Sequence, residues 1–231
     1  SSDLLSGTDL SVTRMVDADS SAEVTDLDVA TLVAGRGLTE FTGAYKGVVT
    51  VEQRTNDSNR MWLQGWKLNS IGTTMTKTGA VEALSLGGNH FSVSDVDVTV
   101  VGDSTREFIV ASAVTGNNLR VQTWAIATTG TLTLVDQYDG GGSVIGLSST
   151  RTGLRDVAVG VRLSGNSHTL LSFHVDTLGK LRRVGTWDAE NVTGLAIAGR
   201  VDAQDLITAI PIVSTGEINL TRVVTNYSSG L

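Results

Sequence analysis

Four stretches of this chain repeat one order of short apolar runs and polar turns, and that recurrence constrains the fold more than any single residue does. Three open with related segments: Val24-Thr25-Asp26-Leu27-Asp28-Val29, Val93-Ser94-Asp95-Val96-Asp97-Val98 and Val192-Thr193-Gly194-Leu195-Ala196-Ile197. A looser copy stands at Val144-Ile145-Gly146-Leu147. Each leads into a β-branched run (Gly47 to Glu52, Phe108 to Val114, Asp156 to Leu163, Leu206 to Val213) that stops at a turn rich in Asn, Gly and Ser. Such residues accept the positive φ of a tight hairpin. A third run carries a large residue six positions before a glycine, as in Trp66/Gly72, Trp124/Gly130, Phe173/Gly179 and Val224/Gly230. Successive large residues lie 58, 49 and 51 positions apart. A fourth run closes three of the units, at Met75 to Val81, Leu132 to Tyr138 and Leu181 to Trp187.

No fourth run follows Gly230, but Gly7-Thr8-Asp9-Leu10-Ser11-Val12 matches Gly130-Thr131-Leu132-Thr133-Leu134. The expectation is that Leu10 to Val16 pairs with Ile218 to Thr225 and completes the last unit. A unit of four antiparallel strands with this period resembles a β-propeller blade. The resemblance spans nearly the whole chain, with no WD dipeptide or Kelch double glycine to name a family. It implies an all-β, four-bladed β-propeller of four-stranded antiparallel blades, closed by the N-terminal strand joining the C-terminal blade. The blades are expected at about 23–82, 92–139, 143–188 and 192–226 plus 8–17, in one domain over 1–231. The spacing alone also fits a barrel or a sandwich. A circularly permuted fourth unit fits neither.

Composition narrows the partners. The net charge of −7 opposes nucleic acid, whose phosphates call for a basic patch. No apolar run approaches the ~18 residues of a membrane helix. The chain has no cysteine, which excludes disulfides and thiolate zinc sites and favours a cytoplasmic location slightly over a secreted mature chain. A monomer is expected, with two chains exchanging terminal strands as the variant.

Chemistry-bearing residues are sparse. A carboxylate ends each fourth run (Asp17, Glu82, Asp139, Asp188), either to hold a ligand or to accept backbone N–H groups in the next turn. Asp26, Asp28, Asp95 and Asp97 fall on the first runs, which line a propeller's central channel. Paired oxygens there are weak candidates for a divalent cation. His168, His174 and Asp176 are spread over ~20 Å of one strand and cannot share a metal. Gly140-Gly141-Gly142-Ser143 reads as a turn, and no catalytic motif occurs.

Loops on a regular scaffold carry function. Two segments break the repeat, Val33 to Gly43 (with Arg36 and Phe41) and Ala83 to Ser92. Turns after the second and fourth strands emerge on one face. That rim gathers the candidate ligand-binding residues Asn89, His90, Asn117, Tyr138, Asp139, Asn166, Trp187 and Asp188, where Tyr138 and Trp187 would stack on a ligand. The favoured function is non-catalytic, lectin-like recognition of a glycan. The alternative is a carrier of one small, aromatic or pigment-like molecule in the channel or a blade cleft, and a metal-dependent hydrolase ranks third.

Overall fold

A computed structural model describes residues 23–32, 47–68, 74–102, 106–127, 129–190, 194, 196–200, 205–211, 215 and 218–224. The expected closing strand from Leu10 to Val16 lies outside the described residues. So do the insertion at Val33 to Gly43, Asp17, Gly72 and Gly230. Among the described residues, fifteen strands form four antiparallel sheets in chain order. The first contains β1 (Val24–Thr31), β2 (Gly47–Arg54), β3 (Arg60–Leu68) and β4 (Met75–Glu82). The second contains β5 (Asp95–Gly102), β6 (Glu107–Thr115), β7 (Asn118–Ile126) and β8 (Leu132–Gly142). The third contains β9 (Val144–Arg151), β10 (Asp156–Leu163), β11 (Ser167–Val175) and β12 (Leu181–Glu190). The fourth has three described strands, β13 (Ala196–Arg200), β14 (Asp205–Pro211) and β15 (Ile218–Val224).

Each sheet is a meander, its strands paired in chain order. Gly116 and Asn117, with φ of 54° and 61°, form a two-residue hairpin between β6 and β7. Positive φ at both positions is the turn geometry that matches strand twist. The register repeats as well. Pairing of the third and fourth strands shifts at Gly65/Trp66, Thr123/Trp124 and Ser172/Phe173. In each case one residue of the fourth strand (Thr78, Val135, Val184) is bulged opposite the large aromatic.

The sheets stack face to face, and that stacking makes the core. Val49, Val51, Met61 and Leu63 of the first sheet meet Val96, Val98, Ile109 and Trp124 of the second. The opposite face of the second sheet, with Phe108, Val110 and Val121, meets Val157, Val159 and Phe173 of the third. Ala158 and Leu170 then meet Leu206 of the fourth. A sheet covered on both sides buries successive residues of its strands, so β6 is apolar or small at nearly every position and shows no alternation.

The recurrent glycine has its reason at these junctions. Gly179 has a φ of 85°, and a Cβ there would lie 2.5 Å from the Phe108 ring of the preceding sheet. The same turn is held on the second sheet by a bond from Thr123 Oγ1 to the Gly179 carbonyl (2.6 Å) and one from the Leu181 N–H to Asp136 Oδ2 (2.9 Å).

Two expectations are corrected. Gly140, Gly141 and Gly142 lie within β8 and are not a turn; the turn falls at Ser143, with a φ of 68°. Of the strand expected over Val192 to Ile197, Ala196 and Ile197 lie in β13, and Val192, Thr193 and Leu195 lie outside the described residues. In the fourth sheet Val223, not Val224, packs into the junction, because alternate residues of β15 face opposite ways.

Gly179→Ala is expected to destabilise the protein by about 1–3 kcal/mol, since it adds both backbone strain and a clash. Trp124→Ala, which empties a buried aromatic site, should cost about 3–5 kcal/mol. Thermal melts of both variants check this, and unchanged midpoints would show that these junctions do not carry the fold.

Candidate functional site

The inner strands are joined by carboxylates. Asp26 Oδ2 accepts the N–H of Val96 (2.7 Å), and Asp28 Oδ2 accepts that of Val98 (2.8 Å). Asp95 Oδ2 accepts the N–H of Leu147 (2.8 Å), and the Ser149 hydroxyl donates to Asp97 Oδ1. At the next step Thr150 Oγ1 accepts the Gly199 N–H (2.9 Å). An edge strand presents unpaired N–H groups, and each of these side chains satisfies one of the following sheet's.

The four acids named from sequence therefore form two neighbouring pairs, Asp26 with Asp95 and Asp28 with Asp97. Burial pushes the Asp95 carboxyl up to about 6, opposed by the Leu147 N–H and reinforced by Asp26. Burial likewise pushes Asp97 up to about 7, opposed by Ser149 and reinforced by Asp28. Among the described residues, no group of three or more His, Asp or Glu side chains is arranged to hold a metal ion.

The turns after second strands and the connections after fourth strands share one rim. The Val93 N–H donates to the Asn59 carbonyl (2.8 Å), Val144 to Asn117 (3.0 Å) and Ser164 to Ser143 (2.8 Å). Asn89, His90, Asn117, Asp139, Asn166 and Asp188 are exposed there. Tyr138 and Trp187 are half-buried rather than exposed, since both face the next sheet. Tyr138 packs edge-on against Phe173 (5.0 Å) and Trp187 against His168 (5.2 Å).

The described rim carboxylates bond to side chains rather than to the turn N–H groups considered from sequence. Glu82 meets His90 Nδ1 at 2.5 Å and Arg60 at 3.3 Å. Asp188 accepts the Thr169 hydroxyl at 2.6 Å. The turn role falls instead to Asp176, whose carboxylate accepts the N–H groups of Leu178 and Lys180 (both 2.8 Å). Those backbone bonds, that to Lys180 foremost, hold its carboxyl below the usual range.

The densest rim cluster lies between the first and second sheets. Arg120 Nε donates to Asp139 Oδ1 (2.7 Å), and its guanidinium stands 4.4 Å from the centre of the Phe91 ring. Gln137 Nε2 donates to Asp139 Oδ2 (2.7 Å), and Gln137 Oε1 accepts from the Leu86 N–H (2.9 Å) and from Gln122 Nε2 (3.0 Å). Gln122 also donates to the Leu84 carbonyl (2.7 Å). Asp139, His90 and Asn89 belong to this region; Asn117, Asn166, Trp187 and Asp188 sit at other turns.

Arg120, Gln122 and Gln137 do not stand out as ligand residues in the sequence. One signal exists: Gln64-Gly65-Trp66 and Gln122-Thr123-Trp124 repeat a glutamine two before the aromatic. Position 120 breaks the repeat, since its equivalents on β3 and β11 are Trp62 and Thr169.

The histidines serve separate places. His174 Nδ1 meets Asp156 Oδ1 at 2.7 Å, at the strand end away from the rim. His168 is buried with neither ring nitrogen hydrogen-bonded, and burial lowers its pKa.

No protein-family profile matches the sequence, and no curated protein matches it significantly. Solved structures do. The SapL1 lectin, determined in complex with alpha methyl fucoside, matches at 15% identity and a TM-score of 0.52 over 88% of this chain and 62% of that one. The fold is a β-propeller. A protein from Lactobacillus plantarum matches at 13% identity (TM-score 0.47, 77% of this chain, 54% of that one). The Pseudomonas aeruginosa periplasmic gluconolactonase matches at 10% (TM-score 0.40, 85% of this chain, 71% of that one). The chain thus spans a little over half of the Lactobacillus plantarum protein and about three fifths of the lectin. Among the described residues no helix is long and apolar enough to cross a membrane.

The blade-to-blade carboxylates give a pH prediction. Asp95 and Asp97 hold a proton more tightly folded than at their ordinary value of 3.8. Their contribution to stability is complete below about pH 4 and is lost as pH rises through about 6 and about 7. The melting temperature should fall by a few degrees between about pH 5 and about pH 8, and Asp97→Asn should flatten that fall. An unchanged slope in the variant would remove Asp97 as its cause.

Proposed function

We propose that this propeller is a non-catalytic recognition module that binds carbohydrate at the rim between its first and second blades. One observation carries the reading: Arg120 is fixed between the Phe91 ring and Asp139, with its remaining guanidinium N–H groups unbonded among the described residues. A sugar ring offers neighbouring hydroxyls that both donate and accept, together with apolar C–H faces. A planar guanidinium supplies paired donors, Asp139 supplies acceptors, and an aromatic edge supplies apolar contact. The network ties β7 and β8 to the connection between β4 and β5, so the groups are oriented before a ligand arrives and little ordering cost remains. Likeness to a lectin solved with a fucoside supports the ligand class.

A panel of immobilised glycans followed by titration calorimetry tests this. Arg120→Ala should weaken the best glycan by about tenfold or more, as loss of a charged hydrogen bond does. Arg120→Lys should recover little, because a point charge cannot replace the fork. Arg183→Ala, at the next junction, should bind as the parent does. Undiminished affinity in a folded Arg120→Ala protein would move the site elsewhere, and an empty panel would overturn the ligand class.

A further inference from the structure

We infer that the junction between the third and fourth blades is an acid-released latch, in which protonation of His168 parts the fourth blade from the third. The repeat shows that this histidine stands in a core position. His168 on β11 lies directly across from Arg162 on β10, as Leu119 lies across from Val114 and Met61 from Gln53. Met61, Leu119 and His168 are 0%, 1% and 0% exposed. Met61 and Leu119 pack into the first-to-second and second-to-third junctions. The third blade puts a proton-binding group where the other two put an apolar side chain.

Nothing in the fold answers that imidazole. Neither ring nitrogen has a hydrogen-bond partner. Its ring meets Trp187 edge-on at 5.2 Å, and Leu170, two residues along β11, joins Ala158 and Leu206 in the buried core of the junction. The charged neighbours are few among the described side chains. On β10, Arg162 leans over β9, its Nε 3.6 Å from where a Cβ would stand at Gly146, on the side away from β11. On β12, exposed Asp188 favours the imidazolium, but burial outweighs it and lowers the pKa of His168. On β11 itself, His174 is six residues further on, or about 20 Å. The fourth blade turns Ile197, Leu206, Thr208, Thr221 and Val223 toward this side, and none is charged.

A buried neutral imidazole costs little beside a buried imidazolium with no acceptor. Parting the blades returns His168 to water, where it takes up a proton near its ordinary value of 6.5. Because the folded value is the lower one, the latch holds fully above about pH 6.5 and loosens as pH falls below it. One proton bound per opening makes the open form about tenfold more abundant per pH unit. Asp95 and Asp97 act in the opposite direction and at other seams, so a change at position 168 separates the two effects.

Hydrogen exchange read by mass spectrometry, corrected for the intrinsic pH dependence of exchange, tests this. Protection over β13, β14 and β15 should fall about tenfold between about pH 6 and about pH 5, while protection over β6 and β7 holds. His168→Leu, which restores the residue found at 119, and His168→Gln, uncharged at every pH, should each abolish the fall. Proton resonances of the parent's histidines give a reading that needs no variant to fold. The imidazole in contact with the Trp187 ring should stay neutral until the fourth blade loses protection. Unchanged protection over β13 to β15 down to pH 5, or a fall that persists in a folded His168→Leu or His168→Gln protein, would overturn the proposal. So would a His168 that protonates at or above about pH 6.5 while the fourth blade stays protected.

Discussion

Burial of a flat sheet on both of its faces is the constraint on which the rest of this molecule depends. A four-stranded meander has one edge at the ring axis, one at the outside, and two broad faces that water would otherwise wet. Covering both faces of the second blade places Ile109 and Ala111 against the first blade and Phe108 and Val110 against the third. At roughly 25 cal/mol per Å² of apolar area, such junctions outweigh any single hydrogen bond between blades. The same requirement explains why small residues recur where blades touch. A Cβ at Gly199 would fall 1.9 Å from the Arg151 carbonyl oxygen of the neighbouring inner strand.

The axis poses a different problem, because the inner edges are backbone and cannot be covered by packing. Asp26, Asp28, Asp95 and Asp97 answer it by accepting N–H groups or a hydroxyl from the next blade. Stacking carboxylates at a shared seam has a cost, since burial and like charge both oppose ionisation. The third blade, with Gly146 and Ser148 at the equivalent places, turns to Thr150 and a neutral bond instead. Among the described residues, two carboxylate seams and one hydroxyl seam therefore hold four inner strands.

Much of this was legible in the sequence, and the residues show why. The aromatic-to-glycine spacing survived because Trp66, Trp124 and Phe173 face the same way beside the same bulge. The Asn and Gly turns survived because positive φ admits few residue types. The glycine run at 140–142 was misleading because glycine marks both turns and close approach; here Tyr138 Cε1 would stand 3.0 Å from a Cβ at Gly140. Arg120 was illegible for a related reason. Its meaning comes from Phe91 and Asp139, and only the fold lays the first of these, from the connection between β4 and β5, against the guanidinium.

A rim assembled from two blades can change chemistry without disturbing the core beneath it. The position of Arg120 is Trp62 in the first blade, where Asp57 accepts the indole N–H (2.8 Å) and Arg54 lies 4.4 Å over the ring. It is Thr169 in the third, bonded to Asp188. Each side chain is satisfied by a partner from a rim turn or an adjacent strand, while the aromatic residues four positions further along each strand, Trp66, Trp124 and Phe173, are buried. The repeat is strict where blades must stack and loose where water begins. Equivalent rims on one propeller can therefore differ in what they recognise, and at the first-to-second junction the groups are an oriented guanidinium, a carboxylate and an aromatic ring.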